Sequence, residues 1–175
     1  MTSGWTNKLT ELLGEHLASC HLIRQGLLVS FTPKNTPIAD LFVTNESLKT
    51  IPIQLKTIRT GTCQMDAKDF LEIAFPEPRG SSGSVRQRIR RRLTLSNPDL
   101  PYIFVWLGKA SEDEFYICLA RHVQQIIHRK YSTWLRKCKG VRPKNPRSTH
   151  CGLTKNDLVK YHDKWNMILN HRIFS

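Results

Sequence analysis

The sequence predicts an α/β fold, with a mixed β-sheet of about four to five strands flanked by helices. Three observations carry this reading. Apolar residues recur at helical spacing over residues 5–24; two apolar runs, at 41–44 and 51–58, flank a short polar segment; and a second pair, at 102–107 and 115–119, leads into renewed helical character at 121–131. A chain of 175 residues accommodates these as one domain, long enough to bury a substantial core without disulfides or a metal staple.

Over residues 5–24, Leu9, Leu12, Leu13, Leu17, Cys20 and Ile23 form the apolar face, and Gly26 marks the helix end. That face is expected to pack on the sheet. Glu11 and Glu15 lie one turn apart on one side, with Glu11 read as a solvated surface acid. Leu27 to Phe31 forms a first strand, and Pro33 to Pro37 the loop that follows. Residues 39–57, ADLFVTNESLKTIPIQLKT, form a hairpin turning near Ser47 and Leu48, so residues whose numbers sum to about 95 become cross-strand neighbours. Asp40 then lies opposite Gln54 and Lys56, which share one strand face while Ile53 and Leu55 point to the other. Pro52 cannot donate to a ladder, which places it at the start of its strand.

Residues 60–72 carry mixed signals, and their acids Asp66, Asp69 and Glu72 read as a solvated face. The stretch FPEPRGSSG, from Phe75, is loop-forming by composition. Beyond it Val85, Ile89 and Leu93 recur four apart. As a helix they would point inward and fan Arg86, Arg88, Arg90, Arg91 and Arg92 outward, with no acid between Arg79 and Leu95 to balance them. Tyr102 to Leu107 is apolar on both faces and reads as a buried strand, paired with 115–119. Residues 130–147, KYSTWLRKCKGVRPKNPR, are basic and punctuated by proline. Thr154 and Asp157 start a last helix, whose inward stripe is Leu158, Tyr161, Trp165 and Ile168.

The net charge of +13 is unevenly spread: residues 1–78 hold 7 Lys and Arg against 8 Asp and Glu, residues 79–175 hold 20 against 6. A near-neutral first half beside a strongly basic second half points to a polyanion surface, with nucleic acid as the partner. The candidate DNA contacts are Arg79, the five arginines from Arg86 to Arg92, and Lys130, Trp134, Arg136, Lys137, Lys139, Arg142, Lys144 and Arg147. Trp134 suits either stacking on a base or core packing. Five scattered cysteines form no disulfide framework and suit a reducing compartment, the cytoplasm or an organelle interior. Cys138, His150, Cys151 and His162 lack paired-ligand spacing and are not read as a zinc site. No segment reads as a signal peptide or a membrane span, so no membrane partner is expected.

Asp40, a hairpin, then Gln54-Leu55-Lys56 resembles the D…(E/Q)xK signature of the PD-(D/E)xK nuclease superfamily, and Gly14-Glu15 falls where many members carry a further glutamate on the first helix. Ala39, not proline, precedes Asp40, and Gln54 stands where most members have a carboxylate. The resemblance covers roughly the first sixty residues and is nearest to small single-domain members such as intron-encoded homing endonucleases and Holliday-junction resolvases. It implies a core of that type over residues 1–175, and metal-dependent cutting of DNA with Mg²⁺, or Mn²⁺ in its place. The implied catalytic set is Glu15, Asp40, Gln54 and Lys56, with Asp40, Gln54 and Glu15 toward the metal. Site-specific cutting of the homing or restriction kind is the first implication; a structure-selective resolvase and an inactive DNA-binding fold are the alternatives. Cutting both strands calls for a dimer or higher oligomer, because one site cuts one strand at a time.

Overall fold

The computed structural model describes residues 3–33, 36–37, 39–76, 85–109 and 112–174. In chain order the elements are α1 (Ser3–Arg24), β1 (Leu28–Phe31), β2 (Leu41–Thr44), β3 (Thr50–Ile58), β4 (Cys63–Asp66), β5 (Leu71–Ala74), β6 (Arg88–Arg92), β7 (Pro101–Trp106), β8 (Glu114–Leu119), α2 (Ala120–Lys137), β9 (His150–Leu153), α3 (Lys155–Leu158) and α4 (Asn166–Leu169). They fall into two compact units with interleaved sequence. One comprises residues 1–63, 97–120 and 154–175, the other 64–96 and 121–153.

The first unit is built on a five-stranded mixed sheet, in the order β1-β2-β3-β7-β8. Only β3 and β7 pair in parallel; the other neighbours are antiparallel. In the hairpin Leu41 faces Ile53 and Thr44 faces Thr50, within one residue of the expected register. The turn is closed by hydrogen bonds from Leu48 N to the Asn45 carbonyl and from Lys49 N to Asn45 Oδ1, with Leu48 in the left-handed region. Along β3, Ile51, Ile53 and Leu55 are buried while Pro52, Gln54 and Lys56 are half-buried. Pro52 lies inside the strand, not at its start, and is tolerated because pairing with β7 begins only at Gln54.

Helix α1 corrects the sequence reading. The face it buries is the small one, Thr10, Gly14, Ala18, Ser19 and Leu22, whereas Leu9, Leu12, Leu13, Cys20 and Ile23 are exposed. The reason is close approach: a Cβ on Gly14 would overlap the hydroxyl and methyl of Thr57 in β3, so the helix backbone lies almost on the strand. Ala18 and Leu22 join Leu41, Val43, Ile51, Ile53, Ile103 and Ile117 in the core. The C-terminal stripe is also altered. Leu158, Tyr161 and Ile168 are buried as expected, but the chain forms two short helices and a 3₁₀ turn, interrupted at His162, which bridges to Tyr116, and at left-handed Asp163. Asp157 Oδ2 accepts from both Thr154 N and Thr154 Oγ1, capping α3.

The second unit holds α2 and two small sheets, β4-β9 and β5-β6. The arginine segment is a strand, not a helix. Leu71 faces Arg92 and Glu72 faces Arg91, but Ile73 faces Ile89, so Arg90 sits in a bulge. Strict alternation would turn one of three consecutive arginines inward; the bulge leaves Arg90, Arg91 and Arg92 all exposed. Two buried glutamines tie the unit together. Gln87 Nε2 donates to the Pro146 and Ser148 carbonyls at 2.6 and 2.9 Å, and its Oε1 accepts from Tyr131. Gln124 Nε2 donates to the Phe70 and Leu93 carbonyls. Helix α2 extends to Lys137, so the start of the basic 130–147 run is helical.

Candidate active site

The site is a pocket of about 280 Å³ in the first unit, lined by Glu11, Glu15, Thr36, Asp40, Leu55, Lys56 and Thr57. Asp40 enters it because its backbone is pinned on both sides. Its N–H donates to the Ile53 carbonyl at 2.9 Å, and Thr32 Oγ1 donates to the Ala39 and Asp40 carbonyls at 2.8 and 3.1 Å. The carboxylate is pinned as well: Leu55 N donates to Oδ2 at 2.6 Å, and Gln54 Nε2 donates to the same oxygen. Among the described residues nothing donates to Asp40 Oδ1 or to Gln54 Oε1, and Lys56 forms no salt bridge.

Glu15 reaches the same pocket from α1, half-buried, with Ser19 Oγ donating to its backbone carbonyl at 2.7 Å. Glu11, one turn earlier, is exposed as a solvated surface acid is, and also lines the pocket. Thr57 was passed over in the sequence. Its hydroxyl is buried without a hydrogen-bond partner among the described residues, facing Gly14. Its only sequence signal is its place directly after Lys56.

Among the described residues no three His, Cys, Asp or Glu side chains form a metal-binding group. The oxygen donors here are the carboxylates of Glu11, Glu15 and Asp40, which line the pocket, and the amide oxygen of Gln54, whose Nε2 is bonded to Asp40. All are hard oxygens, the type Mg²⁺ takes while keeping water in its remaining positions. With Glu11 exposed and Gln54 neutral, the residues fit a hard cation that also leans on a substrate phosphate for charge.

No family model matches the chain, and no curated protein matches it. Among solved structures, that of a bacterial homing endonuclease, I-Ssp6803I, is similar. The two share 12% identity over 93% of each chain, with a TM-score of 0.46.

The basic residues gather in the second unit, which holds 16 Lys and Arg against 4 Asp and Glu, while the first holds 11 against 10. Arg90 and Arg91 pair with Glu72 at 3.5 and 2.6 Å, an acid from the facing strand that the local sequence did not supply. The Arg91 hydrogen bond is the main cause that holds the Glu72 carboxyl below the usual range. Arg86, Arg88 and Arg92 are exposed and form no ion pair among the described residues. Arg142 spends its guanidinium inside the unit: it donates to the Ser148 carbonyl at 2.5 Å and the His150 carbonyl at 2.8 Å, and lies 4.8 Å from the Trp134 ring centroid. Trp134 is half-buried and also packs on Tyr131. Arg147 lies over Phe75, Arg136 donates to Thr133, and Lys137, Lys139 and Lys144 are exposed. Lys130 is half-buried beside Trp134. Arg79 falls outside the described residues.

Proposed function

We propose that this chain is a metal-dependent DNA endonuclease of the PD-(D/E)xK type, cutting at the Asp40 pocket. The observation that supports this reading best is a lysine with no salt bridge among the described residues, sharing a pocket with a carboxylate that two donors hold by one oxygen and none of the described residues holds by the other.

Phosphodiester hydrolysis needs charge neutralised on the phosphate, a positioned water and a stabilised leaving oxygen. Mg²⁺, or Mn²⁺ in its place, held by Asp40, Glu15 and Gln54, would offset that charge and make a bound water more nucleophilic. The side chains supply the rest. The two donors on Asp40 Oδ2 keep Oδ1 aimed in one direction. The Lys56 ammonium offers three donors to orient water and to meet charge developing on the phosphate. Glu15, which lines the same pocket, would position that water or hold a second metal ion. The basic second unit supplies affinity through phosphate contacts. Cutting is read as site-specific, of the homing or restriction kind.

The test is incubation of plasmid and mixed oligonucleotides with Mg²⁺ or Mn²⁺, with EDTA controls. Metal-stimulated cutting should disappear in Asp40→Ala and Lys56→Ala. Cutting that survives both substitutions sinks the site, and tight binding with no cutting of any substrate sinks the enzyme.

A further inference from the structure

The second unit holds a cleft that the Asp40 chemistry does not use. Helix α2 lends it Lys130, Tyr131 and Trp134, the β4-β9 pair lends Gln64 and His150, and the chain between α2 and β9 lends Arg142. At about 260 Å³ it falls just under the roughly 300 Å³ at which sites for whole small molecules begin, a size for one planar ring system. Its lining carries no acid among the described residues. Asp66, further along β4, is occupied by the Thr149 hydroxyl and by Lys68 N at 3.2 Å.

Arg142 decides what such a cleft can take. Its hydrogen bonds turn inward: Nη1 donates to the Ser148 carbonyl and hydroxyl at 2.5 and 3.1 Å, and Nη2 to the His150 carbonyl at 2.8 Å. The guanidinium lies over the Trp134 ring, 4.8 Å from its centroid, and Trp134 packs in turn on Tyr131 with 5.9 Å between ring centroids. A fork spent on backbone carbonyls cannot grip a phosphate in the two-pronged way that makes arginine a phosphate ligand. No carboxylate pairs with it among the described residues. What Arg142 retains is a charged plane, fixed by three hydrogen bonds and backed by an indole, and bases stack on guanidinium planes as they do on aromatic rings.

We infer that this cleft takes one unpaired base of a DNA strand, stacked on the Arg142 plane, with Lys130 and His150 as the donors that meet its phosphate. A paired base cannot enter, because its neighbours cover both faces and its partner holds its edge inside the duplex; the base is extruded or already unpaired. Trp134 is then the backing of the platform and Arg142 its surface. The second unit thereby reads local pairing as well as holding phosphates. That the strand is DNA rests on the proposed function; the shape and chemistry of the cleft do not.

Fluorescence anisotropy of the full chain in EDTA, where no metal-dependent cutting occurs, tests it with three duplexes of one sequence: fully paired, carrying one unpaired adenine, and carrying an abasic unit at that same place. The unpaired adenine should bind about tenfold tighter than either of the others at the same salt, the worth of one stacked base. Arg142→Lys, which keeps the charge and removes the plane, should abolish that preference and leave affinity for the paired duplex within about twofold. Should this variant fail to fold by circular dichroism, Gln64→Trp, which fills the cleft from an exposed position on β4, is read in the same way. Equal affinity for the three duplexes overturns the inference. So does an abasic duplex bound as tightly as the adenine one, since the chain would then be reading flexibility and not a base, and so does a preference that survives in a folded variant. Asp40→Ala should keep the preference, which separates failure of this cleft from failure of the active site.

Discussion

Gly14 and Thr57, uncharged neighbours of Glu15 and Lys56, set how closely α1 lies on β3 beside the pocket. Because a Cβ at position 14 would overlap the Thr57 side chain, Gly14→Ala is expected to cost about 1–3 kcal/mol as overpacking, read from the urea midpoint. Adding Thr57→Ala removes the hydroxyl and methyl and should restore part of that loss. Glu15→Gln should lower the cleavage rate about 100-fold with little change in DNA affinity, and Glu11→Gln should do much less. A larger effect at Glu11 would move the catalytic acid to the pocket mouth. Asp40, Gln54 and Lys56 were legible because the twofold period of a strand and the register of a hairpin are written in the sequence. The role of Gly14 was not, since no local pattern states how near a helix will approach its sheet.

At the scale of elements, the two misread segments failed for different reasons. Val85, Ile89 and Leu93 are four apart, a spacing that suits one face of a helix and also one face of a strand, and strict strand alternation does not keep three consecutive arginines outside. A bulge at Arg90 does. In α1 the larger apolar residues were assumed to face the core, but the small ones allow closer contact and took that place. Gln87, unremarked in a run of arginines, carries the second unit: Gln87→Leu strands two carbonyls and the Tyr131 hydroxyl and should cost about 3 kcal/mol in urea unfolding. In the first unit, Lys155 and then Tyr116 donate to Glu114 and hold its carboxyl below the ordinary value of 4.5. A lowered folded value stabilises the native state above 4.5, and that contribution fades as pH falls through the folded value. The urea midpoint of the wild type should therefore exceed that of Glu114→Gln at neutral pH, with the gap closing in acid.

Taken whole, the molecule gathers its basic charge in the second unit, since residues 97–120 and 154–175 return to the near-neutral first unit. Binding through the basic unit should fall with salt at a log-log slope of about −0.9 per phosphate contact. Arg88→Ala with Arg92→Ala, which removes two arginines without acid partners, should flatten the slope by nearly two contacts, while Asp40→Ala should leave it alone. If the double variant keeps affinity and slope, the DNA lies along 130–147 instead. The interleaving of the two units also has a consequence for synthesis on the ribosome. Ile168, fully buried in the core of the first unit, belongs to residues 154–175, which are translated well after the residues of the Asp40 pocket. A nascent chain therefore carries every residue of the Asp40 pocket long before it can finish the unit that holds them, and a transcript cut short before the codons for 154–175 should yield a first unit that cannot complete its core.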